Sequence, residues 1–130
     1  HKPYEYPIPD GTYDIVTSAN VFEHVPKPWL WMRELARVVK RGGYVVTVAP
    51  LNWGYHAEPI DCWRAYPEAM KGVYDDAGLK VEKALFGSTD TWKSRANIDG
   101  LKYVVKKVIG WPLKGVPWYA QDTICIGVKP

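Results

Sequence analysis

Within five positions, Asn20-Val21-Phe22-Glu23-His24 present a carboxamide, a carboxylate and an imidazole, residue types that hold a polar substrate and move a proton near neutral pH. His24 is the natural general base, because its ring titrates close to neutrality and Glu23 stands beside it. The bland reading of the same pair is that Glu23 and His24 cap the following turn and hold the loop by hydrogen bonds. Both readings stay open at this level. A second group follows in residues 51–65, which hold Trp53, Tyr55, His56, Glu58, Asp61, Trp63 and Arg64. Connections this long in compact domains are functional or disordered, and the aromatic content argues for order. Asp61 and Arg64 flank Trp63, placed either to contact an acceptor molecule or to pair with each other and anchor the loop.

Those groups need a frame. Residues 13–18 read as a short apolar strand emptying into the Asn20–His24 loop. Pro28 then opens a helix ending near Lys40, with Trp31, Leu35, Val38 and Val39 at helical spacing and Arg33, Glu34, Arg37 and Lys40 on the other faces. Gly42 is expected as its C-terminal cap, and Gly42-Gly43 as the stop before a strand over residues 44–49. That strand is apolar on both alternating sets, as in a central strand covered by helices on both faces. The order strand, loop, helix, strand favours a right-handed crossover between parallel strands, and such open sheets bind ligands at the carboxyl ends of their strands. Asn20, Glu23 and His24 lie at that end. Further on, Pro67 starts a helix with the stripe Ala69, Met70, Val73, Tyr74 and Ala77, closed by Gly78. Residues 79–86 read as a strand near an edge, and residues 123–128 as a last buried strand. Between them, Asn97 caps a helix with Leu101, Val104, Val105 and Val108 on one side and Lys102, Lys106 and Lys107 turned to water. Trp111, Trp118 and Tyr119 either roof an acceptor pocket or pack in the core.

Composition bounds the answer. The 130 residues suit one domain, and 47% hydrophobic with 24% charged residues excludes a disordered segment. The net charge of +3 is dispersed, so no nucleic-acid surface is indicated. Cys62 and Cys125 lack metal-ligand spacing and read as reduced thiols. No apolar run approaches the ~20 residues of a membrane span, and no signal-peptide pattern opens the chain. A soluble cytoplasmic protein is the expectation. The chain begins at His1 rather than a methionine, which points to a piece of something longer.

The ordered set Tyr13-Asp14-Ile15-Val16, Glu23-His24-Val25-Pro26, Arg33-Glu34-Leu35-Ala36-Arg37-Val38-Val39-Lys40-Arg41-Gly42-Gly43, Asp61-Cys62-Trp63-Arg64 and Asp76-Ala77-Gly78-Leu79 resembles the class I S-adenosylmethionine-dependent methyltransferases. The likeness covers about residues 3–86. It implies an α/β, Rossmann-like sheet of seven mostly parallel strands with an antiparallel last strand, and it assigns the strands read above to the fourth through seventh. Residues 1–130 would then be the C-terminal part of a single methyltransferase domain. The family's glycine-rich turn after the first strand and acidic residue after the second have no counterpart here, and would lie upstream of His1. The contacts that carry over are Ser18, Ala19 and Asn20, near the methionine portion of the cofactor and the transferred methyl.

For such an enzyme the resemblance implies S-adenosylmethionine as cofactor, His24 and Glu23 as catalytic residues, and His56, Trp63 and Arg64 toward the acceptor, an oxygen of a small molecule or glycan. Two related groups, the ubiquinone-pathway O-methyltransferases and the small-RNA terminal 2′-O-methyltransferases, are similar at residues 20–24 but carry Glu where Asn20 stands. They use that Glu, the following Glu and the His to hold a divalent metal, and the RNA enzymes add a histidine in the region of His56. A carboxamide at position 20 removes one negative charge and weakens such a site, so no metal is assigned, and a divalent-metal-dependent O-methyltransferase is the minor reading. The rival from another class is a non-catalytic half-domain or assembly module, its sheet completed by another chain. The strand over residues 13–18 would then expose an unpaired edge, met either by the rest of a longer chain or by a second copy as a homo-oligomer.

Overall fold

A computed structural model describes residues 4–90 and 120–130. The chain runs β1 (Tyr13–Ala19), a 3-10 turn (Phe22–His24), α1 (Pro28–Val38), β2 (Val39–Pro50), α2 (Pro67–Asp76), β3 (Lys80–Asp90) and β4 (Ala120–Val128). The four strands form one sheet in the order β1-β2-β4-β3. β1 and β2 are parallel, with Ile15 opposite Tyr44 and Ala19 opposite Val48. β4 enters between β2 and β3 and runs antiparallel to both. The last strand is therefore reversed and central, and β3 is an edge, as expected. The helix over residues 97–108, Lys102, Lys106 and Lys107 included, and the aromatic group Trp111, Trp118 and Tyr119 lie outside the described residues.

α1 ends at Val38, two residues before the expected end near Lys40. Val39, with extended φ and ψ, is its C-cap, and Gly42-Gly43 lie inside β2. The reason is a break in the β1–β2 register between Tyr13 and Ile15, which lets residues 40–43 bulge out of the ladder. Gly42 takes φ +77° there, and a Cβ on Gly43 would sit 2.6 Å from the Asp14 carbonyl oxygen. The glycines serve the bulge rather than a helix cap.

One face of the sheet carries the core. Trp31, Met32 and Leu35 of α1 and Met70 and Tyr74 of α2 pack with Val45, Ala49 and Cys125 from the sheet. Each such fully buried apolar side chain contributes about 1.5–3 kcal/mol. The Tyr74 hydroxyl lies 3.0 Å from Thr47 Oγ1 and donates to the Cys125 carbonyl at 3.1 Å. Gly127 makes room for its ring, since a Cβ there would fall 2.5 Å from Tyr74 Cδ1. On the opposite face Val46, Val48, Ile124 and Ile126 are only half-buried, and among the described residues no helix covers them. Glu34 also departs from its expected outward place. It is buried, accepting from the Tyr6 backbone N–H at 2.7 Å and from Arg37, which reaches on to Asp10 and the Ile8 carbonyl. Residues 6–10 are thereby strapped across α1.

Candidate functional site

At the carboxyl end of β1 the chain turns sharply. Asn20 takes φ +54°, a left-handed conformation that asparagine tolerates, while its backbone N–H donates to the Val48 carbonyl at 3.0 Å. Phe22 then drops into the core against Trp31, with ring centroids 6.4 Å apart. Anchoring Phe22 buries its neighbour Glu23 to 1% exposure and leaves His24 at the rim.

The long connection between β2 and α2 folds over this turn and is stapled to it three times. Cys62 N–H donates to the Glu23 carbonyl at 2.7 Å, Trp63 Nε1 to the Val25 carbonyl at 2.9 Å, and His24 Nδ1 to the Ile60 carbonyl at 2.5 Å. Inside the connection, Arg64 grips Asp61 with two hydrogen bonds of 2.5 and 2.6 Å, and His56 N–H adds a third to Asp61 Oδ2 at 2.9 Å. Arg64 also donates to the carbonyls of Trp53, Gly54 and Trp63. Its hydrogen bonds, against the opposing effect of burial, hold the Asp61 carboxyl well below the usual carboxylate range. The Asp61–Arg64 pair is the anchor of the loop, and Arg64 is committed to it.

Glu23, His24 and His56 converge. One ligating atom from each lies within 4.8 Å of the others, and the two imidazoles meet edge to face with centroids 5.0 Å apart. Nδ1 of His24 faces the Ile60 carbonyl, and Nδ1 of His56 faces the Gly54 carbonyl at 3.0 Å. A carbonyl oxygen only accepts, so each ring carries its proton on Nδ1 and, when neutral, a lone pair on Nε2. Nε2 of His24 stands 3.6 Å from Glu23 Oε1, too long for a hydrogen bond. Glu23 Oε2 is sealed from solvent and has no hydrogen-bond partner among the described residues. Holding the loop accounts for His24 Nδ1 and for the Glu23 main-chain carbonyl, and leaves the Glu23 Oε2 without a described donor.

Ser18 and Ala19 sit apart from this trio. With Tyr13, Ile15, Val21, Trp31 and other residues they line an open groove of about 450 Å³ along the flank of β1, whose lining does not include Glu23, His24 or His56. Val21 is the covalent link between groove and trio. Trp63 is partly exposed beside Trp29, ring centroids 6.2 Å apart. The site also depends on the main-chain carbonyls of Gly54, Ile60 and Val25. No side-chain signal reveals them, because every residue has one.

A family profile described as a methyltransferase domain matches residues 2–47, the segment from the lead-in through most of β2. An uncharacterized methyltransferase of Mycobacterium bovis is 52% identical over 40 residues, covering 31% of this chain and 16% of the relative. The fold is shared with solved structures. Haemonchus contortus phosphoethanolamine N-methyltransferase 2, in complex with S-adenosyl-L-methionine, superposes with a TM-score of 0.59 at 14% identity, covering 96% of this chain and 35% of that one. Over residues 2–47 the sequence is similar to the methyltransferase-domain family, and the fold is that of solved S-adenosylmethionine-dependent methyltransferases. The same fold also matches the [4+2]-cyclase SpnF, with a TM-score of 0.65 at 15% identity over 98% of this chain and 53% of that one. A methyltransferase fold thus carries more than one reaction, and what this domain does has to be argued from its site.

Proposed function

We propose that this chain forms the acceptor side of an S-adenosylmethionine-dependent methyltransferase acting on an oxygen of a small molecule or glycan. The observation that carries the reading is the Glu23–His24 pair. An imidazole locked by the Ile60 carbonyl turns its free Nε2 toward a buried carboxylate at the carboxyl end of β1. S-adenosylmethionine would supply an electrophilic methyl on a sulfonium, whose departure as a thioether takes up the bonding pair. The residues present suit contact with part of that cofactor. Ser18 and Ala19 line the groove on β1, and the left-handed turn at Asn20 leads from it toward the trio within four residues.

His24 holds the chemistry that remains. With Nδ1 occupied, Nε2 accepts the proton of the acceptor hydroxyl as its oxygen attacks the methyl carbon, and Glu23 stabilises the imidazolium so formed. His56 and the exposed Trp63 border the acceptor, while Arg64 fixes the loop that carries them. Water is kept from Glu23 by Phe22 below and the stapled connection above. The test is incubation of the purified protein with methyl-labelled S-adenosylmethionine and a panel of hydroxylated acceptors. Labelled O-methyl product is expected. Label appearing only on nitrogen or carbon would overturn the oxygen assignment, and cofactor binding without transfer to any acceptor would favour the non-catalytic reading.

A further inference from the structure

We propose that the carboxyl end of the sheet is a docking surface for an anionic lipid interface, on which the protein sits with its candidate site turned toward the membrane. The topology brings the pieces to one place. β2 runs parallel to β1, β4 antiparallel to β2 and β3 antiparallel to β4, so β1, β2 and β3 all finish where β4 starts. Among the described residues, most of the exposed large apolar side chains stand at this end or on the connection that folds over it.

These side chains form a connected rim. Trp29 meets Trp63 edge to face, and Tyr66 meets Phe86 of β3 in the same way, with ring centroids 6.4 Å apart. Arg64 ties the two groups together, since it follows Trp63, precedes Tyr66 by two positions and donates to the main-chain carbonyls of Trp53 and Gly54. Exposure along the rim is high, 81% at Tyr55, 61% at Tyr66, 56% at Phe86 and 51% at Trp53. Contiguous exposed apolar surface of this kind marks a binding face. Tryptophan and tyrosine combine an apolar ring with a polar tip, which suits the boundary between lipid tails and water. The fixed charges inside the rim do not oppose such a contact, because Arg64 neutralises Asp61 in place.

Charge selects the lipid. Residues 91–119 leave the sheet after Asp90 and rejoin it at Ala120, and these two are register partners at the same end. By sequence that stretch holds six lysines and arginines, from Lys93 to Lys114, against the single acid Asp99. The whole chain carries a net charge of only +3, so its positive excess is concentrated in the stretch that joins the sheet at its aromatic end. Basic residues beside exposed aromatic rings are the combination that holds proteins on anionic membrane surfaces. Among the described residues no helix is long and apolar enough to cross a membrane, so the contact is with the surface. Docking in this pose would bring a headgroup hydroxyl to the end of the sheet where His24 stands. That consequence rests on the proposed function, whereas docking is measured without methyl donor or acceptor, so either can fail alone.

The experiment is sedimentation of the purified protein with vesicles of phosphatidylcholine containing about 30% phosphatidylserine, beside vesicles of phosphatidylcholine alone. Binding at least about tenfold stronger to the anionic vesicles is expected, with tryptophan emission quenched when the acyl chains are brominated. Tyr55→Ser and Phe86→Ser, both at exposed positions, should each weaken binding at least about threefold while keeping the far-ultraviolet spectrum, and Trp53→Ser should remove part of the quenching. No binding to either vesicle, binding without quenching, or binding unchanged in the folded variants would overturn the surface. So would a complex in solution, with a second copy or another protein, whose mass falls to that of the single chain on Tyr55→Ser, because the rim would then be a protein interface.

Discussion

Asp61 and Glu23 are two buried carboxylates in one loop cluster, and they are treated in opposite ways. Asp61 has both oxygens filled, by the fork of Arg64 and by the His56 N–H. The Glu23 side chain is as deeply buried, yet Oε2 has no hydrogen-bond partner among the described residues and Oε1 stands 3.6 Å from His24 Nε2. Buried polar atoms in folded proteins are almost always paired, and an unpaired charge is costly. The difference separates a carboxylate tied into the structure from one whose Oε2 has no described donor, and the proposed function places the chemistry on the second. Stability and function are assigned to different acids a few residues apart in space.

The largest effect is expected on the open side. In the intact enzyme, His24→Ala should lower transfer by roughly 10²–10⁴-fold, the range of a lost general base, while S-adenosylmethionine affinity measured by calorimetry stays unchanged. Equal loss of both would take His24 off the acceptor. On the filled side, Asp61→Asn removes the charge that Arg64 holds, and the loop with its three staples should loosen. A melting temperature lower by roughly 5 °C is expected, with faster amide exchange at Cys62. An unchanged melt would mean that the pair does not anchor the loop.

A smaller effect belongs to pH. Arg64 keeps the folded Asp61 pKa below its unfolded value near 3.9. Between those values the unfolded chain takes up the proton and the folded chain does not, so stability rises with pH there. The contribution is complete above about pH 5 and is lost as pH falls toward the folded value. Melts of the parent protein and Asp61→Asn should therefore begin to draw together below about pH 4 and meet only as pH approaches the folded value. A gap that persists in acid would point to shape rather than charge.

The frame was largely legible in the sequence because its signals are local. Pro28 and Pro67 do open the helices, Trp31, Leu35, Met70 and Tyr74 do face the core, and β3 is an edge strand. Gly42-Gly43 misled because a glycine pair reads alike as a helix stop and as a bulge. Only the Asp14 carbonyl, from the neighbouring strand, decides between them. Glu34 misled for a similar reason, since its partners Tyr6 and Arg37 bury a charge that periodicity places in water. At the site, residue types pointed to Glu23, His24 and the Asp61–Arg64 pair. The state of each did not follow, because it depends on carbonyls 36 residues away, as between His24 and Ile60.

The division of labour between the two acids is tested most directly by melting Glu23→Gln beside Asp61→Asn under the same conditions, without ligand. Glutamine keeps the shape at position 23 and removes a buried carboxylate whose Oε2 has no described hydrogen-bond donor, so Glu23→Gln should melt at or above the parent, by about 1–3 °C. Asp61→Asn should melt below it. Both variants falling by similar amounts would contradict the account, for it would show that Glu23, like Asp61, is held by the structure rather than kept for a ligand.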